Sequence, residues 1–508
     1  MDTHSTRPQD GAPAGRADAG STGTPNTGAG QAAPGAERLA RGPEAATAPA
    51  RAAAGRPTRR TLIAAGGLGA AGALAFAGPA AAEPEWNVRS ARPGSGNSHG
   101  HGLKKGQRAD APRSVRSNVV PAAYEQTSDD PADYGSYDLA GRRAKDIDYI
   151  VIHDTEADYE GTLKIFTDPK NQTSAHYVVA GSGLVTQMVD VADAAWHAGN
   201  WHFNGRSIGI EMVGQAESKK GFTQAQYTAV GRLVRYLCRK YDIPLDREHI
   251  VGHEEVPATT VAGVAKMHWD PGPLYSFERL VERAGGRIAG HGGRHAKTVV
   301  AAPDDRSNTI DFRNADGTAQ LGRQGVFAVS VRTAPRDDAP LFADPGLHPD
   351  GKGPAVPVIN DWGSNLTGGQ TFAVAGRAHG WTQIHYAGTT AWIKDTDAAG
   401  RRALEPGRAP HGLATPRGKR AVKVYGAAYP GAAAFERAGV DAPKNEALPY
   451  TIEPGARYVV GGRLRGSYQV AEDYGKPGRW VRDSTAWVEV RIGHRVGFVH
   501  ASDVRIVR

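Results

Sequence analysis

Ile147-Asp148-Tyr149-Ile150-Val151-Ile152-His153 is a β-branched run that becomes apolar on both faces before an imidazole closes it. That pattern is what a strand at the centre of a sheet covered on both faces requires. A short helix is expected after it, near Leu163–Phe166, introduced by Thr155-Glu156 and Glu160-Gly161-Thr162. Ala175–Ala180 predicts a second strand, and the Gly181-Ser182-Gly183 turn folds it back into Leu184–Val189 as a hairpin. Ala194–Asn200 reads as a loop and Ser207–Val213 as a third buried strand. The clearest helix runs from about Gln224 to Tyr241: Thr223 and Gln226 form a capping-box pattern, Tyr227, Val230, Val234, Leu237 and Tyr241 recur at three- and four-residue steps, and Pro244 follows. Ile250-Val251 then supplies another strand. Strands and helices alternate, so the fold class here is α/β, with enough chain for one good core.

Chemistry-bearing residues sit at the ends of these strands. His153 closes the first, His253 follows Ile250-Val251-Gly252, and Asp270 stands immediately before Pro271-Gly272-Pro273. Two imidazoles and one carboxylate can supply three ligands to a zinc ion and leave a fourth position for water. A rigid Pro/Gly corner holds a carboxylate still, as a ligand must be held. Glu211 lies between Ile210 and Met212 inside an apolar strand. An unpaired charge buried there would be costly, which marks Glu211 as a base whose pKa burial raises towards the useful range. This is the equipment of a metal-assisted hydrolase.

Composition bounds the rest. At 508 residues the chain exceeds one ordinary domain, and its net charge of +8 is spread rather than concentrated in a Lys/Arg block interleaved with aromatics. That distribution excludes a nucleic-acid partner as the working reading. The single cysteine, Cys238, permits no internal disulfide and falls on the apolar face of the long helix. Residues 1–82 read as a disordered extension followed by a twin-arginine export signal: Arg59-Arg60, a short weakly apolar run to Ala77, and Ala80-Ala81-Ala82 as the cleavage site. The run is shorter than the roughly 20 residues a bilayer span needs, so export to the cell wall or medium with cleavage after Ala82 is expected, without stable membrane insertion. Residues 83–140 have the Pro, Ser and Asp content of a linker. The catalytic candidate occupies 141–282, and 283–308 is a second linker, rich in Gly, Arg and His.

The runs IVIHDTE (150–156), SAHYVV (174–179) with its Gly turn and VTQMVD (185–190), AAWHAGN (194–200), NGRSIGIEMVG (204–214), VGHEEV (251–256) and DPGP (270–273) occur in order over roughly residues 145–280. In that order they resemble the zinc-dependent N-acetylmuramoyl-L-alanine amidases of the amidase type 2 and peptidoglycan-recognition-protein superfamily. The resemblance implies a mixed central sheet flanked by helices and one zinc ion per chain, held by His153, His253 and Asp270. It further implies Glu211 as general base and cleavage of the bond between N-acetylmuramic acid and L-alanine in peptidoglycan. It places His268 where many relatives carry Lys, as the donor to the oxyanion, and Trp196, His197 and Asn200 along the substrate groove. His176 is expected to be a structural residue. The segment 257–267 replaces a shorter connection found in some relatives. A non-catalytic peptidoglycan-recognition protein is the rival reading, and such members commonly lack a zinc ligand. A cytoplasmic enzyme acting on anhydro-muropeptides is a second rival, which the export signal opposes.

Beyond 308, helical periodicity gives way to short alternating runs. Gly369–Arg377, Trp381–Ile384 and Gly388–Ile393 form one set; Gly455–Arg463, Trp487–Val490 and Gly493–Val499 form a second of the same pattern, after an insertion. They resemble bacterial SH3-like domains, implying two small all-β barrels at 309–400 and 415–508 that bind the wall or act as spacers. The chain is expected to act as a monomer.

Overall fold

The computed structural model describes residues 103–508, apart from 105, 219–221, 289–291 and 294. The extension, the twin-arginine run and the cleavage site lie outside the described residues. Among the described residues no helix is long and apolar enough to cross a membrane.

The apolar runs assemble one six-stranded sheet. Its strands are β1 (Ser117–Val119), β2 (Tyr149–Asp154), β3 (Tyr177–Val179), β4 (Val185–Gln187), β5 (Ser207–Met212) and β6 (Ile250–Gly252), in the spatial order β1-β4-β3-β5-β2-β6. Only β3 and β4 pair antiparallel, as their Gly turn demands; the other neighbours are parallel, so the sheet is mixed. Tyr149, Ile150, Val151 and Ile152 are all 0% exposed, which explains why both faces of β2 had to be apolar. Helix α1 (Tyr159–Phe166) follows β2, α2 (Trp201–Arg206) precedes β5, α3 (Gln224–Tyr241) packs Val230, Leu233, Val234 and Leu237 into the core, and α4 (Phe277–Ala284) lies against α3. Thr223 caps α3 as its spacing predicts, its hydroxyl accepting from Gln226 N at 3.1 Å while Gln226 Oε1 accepts from Thr223 N at 2.8 Å. Thr223→Ala should therefore cost about 1 kcal/mol of stability, measurable by denaturant titration, with no change in activity.

The segment 103–140 differs from a linker. β1 adds to the edge of the sheet, Val119, Tyr134, Tyr137 and Leu139 are buried, and the Asp110 carboxylate accepts from Tyr236, Lys240 and Tyr241 on α3. Its Pro, Ser and Asp content hides these anchors. The expected second linker likewise contains a strand, β7 (Thr298–Ala301), which pairs with β8 (Thr371–Ala378) and with β11 (Leu404–Pro406).

With β9 (Trp381–Tyr386) and β10 (Thr389–Lys394) these make a five-stranded antiparallel sheet, ordered β10-β9-β8-β7-β11. A seven-stranded antiparallel sheet follows, from β12 (Leu413–Pro416), β13 (Val422–Tyr425), β14 (Ala447–Ile452), β15 (Tyr458–Val470), β16 (Arg479–Arg491), β17 (Val496–His500) and β18 (Val504–Val507), ordered β14-β13-β17-β16-β15-β12-β18. The strand–turn–strand units read from the two repeated patterns are present. Their apolar faces meet in one buried cluster, Val331, Phe372, Ile384 and Ile393 packing with Val424, Tyr450, Val488 and Val490. A further cluster joins Tyr149, Val151, Phe203, Val251 and Val256 to Trp487, Val496 and Phe498, so the C-terminal strands also cover one face of the six-stranded sheet.

Candidate active site and metal centre

β2 and β5 run parallel with His153 opposite Glu211, and β6 flanks β2 on its other side. Their carboxyl ends therefore bring His153, Glu211 and His253 to one place. His253 opens a single 3-10 turn, His253–Glu255, directly after β6. Asp270 joins them through the corner before Pro271, and its carbonyl accepts from Glu254 N at 2.9 Å.

All four side chains are buried. His153 Nδ1 stands 3.2 Å from Asp270 Oδ2, and His253 Nδ1 stands 3.1 Å from Asp270 Oδ1. One donor atom from each of His153, His253 and Asp270 lies within 4.8 Å of the others. A tetrahedral ion with bonds near 2.0–2.1 Å needs donors roughly 3.3 Å apart, so a modest contraction would suffice. His253 Nε2 and Glu211 Oε2 are buried without a hydrogen-bond partner. Orphaned polar atoms of this kind are costly unless something satisfies them, and two imidazoles with a carboxylate suit zinc. The residues present fit a metal ion. Burial lowers the His253 pKa to about 4, keeping its ring neutral and able to donate a lone pair. Asp270 is held well below the usual carboxylate range: burial opposes ionisation, but the neighbouring rings of His253, His153 and His268 outweigh it. Burial first, and then the negative Asp270, push Glu211 well above its ordinary value.

His197 is not on an open groove. Its ring is buried against Gly209, where a Cβ would come within 2.6 Å of its Cγ. His197 Nδ1 lies 3.0 Å from His153 Nε2, and His197 Nε2 lies 3.2 Å from Ser207 Oγ. The Ser207 hydroxyl donates to Phe203 O at 2.6 Å, so its oxygen must accept from His197 Nε2–H. His197 Nδ1 is then an acceptor for His153 Nε2–H, and the His153 lone pair is left on Nδ1, facing Asp270.

Asn200 is also structural. It caps α2, its Oδ1 accepting from His202 N at 2.9 Å, and its amide donates to Pro257 O at 2.8 Å and Gly426 O at 2.9 Å. The expected loop before β5 thus ends in a short helix, for which an Asn ahead of Trp201 was the available signal. Trp196 is half-buried, and its indole N–H donates to Asp138 Oδ2 at 2.6 Å. His176 is buried, its Nδ1 accepting from Gly209 N at 3.0 Å and its Nε2 lying 2.6 Å from the Arg142 guanidinium.

His268 stands at the mouth. Its side chain is 50% exposed, its Nδ1 is 3.4 Å from Asp270 Oδ1, and its ring stacks on His253 with centroids 4.8 Å apart. The bond to Asp270 raises its pKa against the opposing effect of burial. Glu255 was not singled out from the sequence. It is fully buried and held at about 2, Arg247 and Arg491 outweighing its burial. Arg491 lies 236 residues away, a separation at which no local pattern could reveal the pair.

Residues 143–273 match the family model described as N-acetylmuramoyl-L-alanine amidase. The segment is 33% identical over 111 residues to N-acetylmuramoyl-L-alanine amidase A of Achromobacter lyticus, covering 22% of this chain and 60% of that protein. It is 34% identical over 116 residues to the 1,6-anhydro-N-acetylmuramyl-L-alanine amidase AmpD of Haemophilus influenzae, covering 22% of this chain and 58% of that one. The chain thus spans about three-fifths of the length of these curated relatives. Among solved structures, a selenomethionine AmpD derivative aligns with a TM-score of 0.26 at 23% identity, over 36% of this chain and 98% of that one.

Proposed function

We propose that the chain is an exported, zinc-dependent peptidoglycan amidase that hydrolyses the bond between N-acetylmuramic acid and the L-alanine of the stem peptide. The observation that carries the reading is the buried group of His153, His253 and Asp270 with the unpartnered Glu211 carboxylate in register beside His153. A zinc ion bound there would supply Lewis acidity, polarising the scissile carbonyl and lowering the pKa of water. Glu211 takes a proton from the attacking water at its free oxygen. His268, exposed on one side and stacked on His253 on the other, donates an N–H to the oxygen that becomes negative. Glu211 then returns the proton to the alanine nitrogen, which leaves as the free amine. The C-terminal strands, with their SH3-like pattern, would present the enzyme to the wall.

A non-catalytic recognition role is disfavoured because all three ligand positions and the base are retained. The AmpD-named relatives favour a second substrate, soluble 1,6-anhydro-muropeptides. Mass spectrometry after incubation with polymeric peptidoglycan and, separately, with an anhydro-disaccharide peptide distinguishes these readings. Free stem peptides bearing N-terminal L-alanine are expected from the polymer. Release from the anhydro-disaccharide alone would replace the wall substrate with the soluble one, and release from neither would leave the recognition role.

A further inference from the structure

The connection 257–267 between His253 and Asp270 has no regular sheet or long helix to fix it; it carries one 3-10 segment, Val261–Lys266. Its length alone would let the two ligand-bearing ends drift apart. Val256 stands just after the turn that begins at His253, and His268 stands two residues before Asp270, so these two form the neck of the connection.

Both carbonyls of that neck accept from one side chain. Arg495, in the turn between β16 and β17 and only 3% exposed, donates through Nη2 to His268 O at 2.8 Å and through Nη1 to Val256 O. Its guanidinium lies 4.2 Å from the Trp362 ring centroid, which fixes the plane of the fork. Neighbouring contacts come from the same part of the chain. Arg491 Nη1 reaches Glu255 Oε2 at 2.6 Å and Gln370 Nε2 reaches the same oxygen at 3.1 Å. The connection itself rests on C-terminal residues, with Val264 buried in their core and Thr259 O accepting from Glu446 N at 2.8 Å.

We infer that Arg495 is a positioning residue for the candidate metal centre, its planar fork clamping the Val256 and His268 carbonyls so that His253 and Asp270 keep their separation. The inference rests on the metal reading given under Proposed function. A guanidinium can hold two carbonyls at fixed spacing and orientation; an ammonium is a point donor on a flexible stem and cannot. Losing the fork takes the charged donor from both carbonyls and releases the neck. The turn between β16 and β17 is therefore part of the scaffold that holds the candidate metal centre, closing the His253–Asp270 connection from outside.

The test uses the full chain carrying Arg495→Met or Arg495→Lys, with zinc affinity measured by chelator competition, kcat and KM on peptidoglycan, and amide exchange of 257–267 against α3. Loss of a residue supporting a metal ligand costs about 10–100-fold in affinity or activity. Both variants should bind zinc at least tenfold more weakly and lose kcat in that range with KM little changed. Faster exchange should be confined to the connection and its ends. Native zinc affinity and kcat in a folded Arg495→Met protein would overturn the inference. So would exchange that rises equally in α3, since that is general destabilisation. If Arg495→Met does not fold, Arg495→Lys decides alone: native zinc affinity there means no fork is needed. If the unaltered chain binds no zinc, the metal reading is what fails, and confined exchange of 257–267 alone decides whether Arg495 is a clamp.

Discussion

His153→Ala should leave a folded protein that retains no zinc and releases no stem peptide from peptidoglycan. Asp270 approaches His153 and His253 with separate oxygens, so removing either imidazole dismantles the set of three donors. Lewis-acid assistance is worth several kcal/mol at the transition state, so turnover should fall by at least about three orders of magnitude. Two features separate loss of metal from loss of fold. His153 stands at the end of β2, beyond the fully buried Tyr149–Ile152 that hold the sheet together, so circular dichroism and the cooperative unfolding transition should survive. Chelation of the unaltered protein should reproduce the defect, and added zinc should restore only the unaltered protein. Undiminished hydrolysis after exhaustive chelation would sink the metal reading.

Much of this was legible in the sequence because the sheet needs it locally. β2, β5 and β6 are short and buried on both faces, so each announces itself; His153 and His253 follow the apolar runs of β2 and β6, and Glu211 is the one carboxylate inside β5. Capping at Thr223 and the steps along α3 are equally local. Other features depend on partners distant in the chain. The 103–140 segment has a linker's composition, yet Val119, Tyr134, Tyr137 and Leu139 among others are buried, and Asp110 is held by residues of α3 more than 120 positions away. The two C-terminal patterns suggest separate small barrels, yet the strands share a core, which no single repeat can reveal.

The site shows the same division. The family resemblance places WHAGN along a substrate groove. In the structure its polar groups turn inward: His197 fixes the tautomer of His153, and Asn200 ties α2 to Pro257 and Gly426. Residue type announced hydrogen bonding; only the fold says to what. Arg495 carried no motif at all, since a carbonyl clamp has no sequence signature at its receiving end.

Glu211→Gln should keep zinc and lose about two to four orders of magnitude in kcat, the usual worth of a positioned general base. Glu211 is not one of the three donors, so an isosteric amide leaves the ligand set intact. It can still hydrogen-bond water but cannot carry a proton away or return it to the alanine nitrogen. Stability supplies a second, opposite signature. Burial and Asp270 both disfavour ionised Glu211, and its Oε2 has no partner, so the metal-free variant should unfold at a temperature no lower than the metal-free unaltered protein. A residue present only for packing would behave the other way, with stability falling and turnover following it. Zinc content, melting temperature and single-turnover rate measured on one preparation separate the two. Near-native turnover in Glu211→Gln with zinc bound would mean that a different group removes the proton, and Asp154, buried beside His153 with an unpartnered oxygen, would be the first to replace.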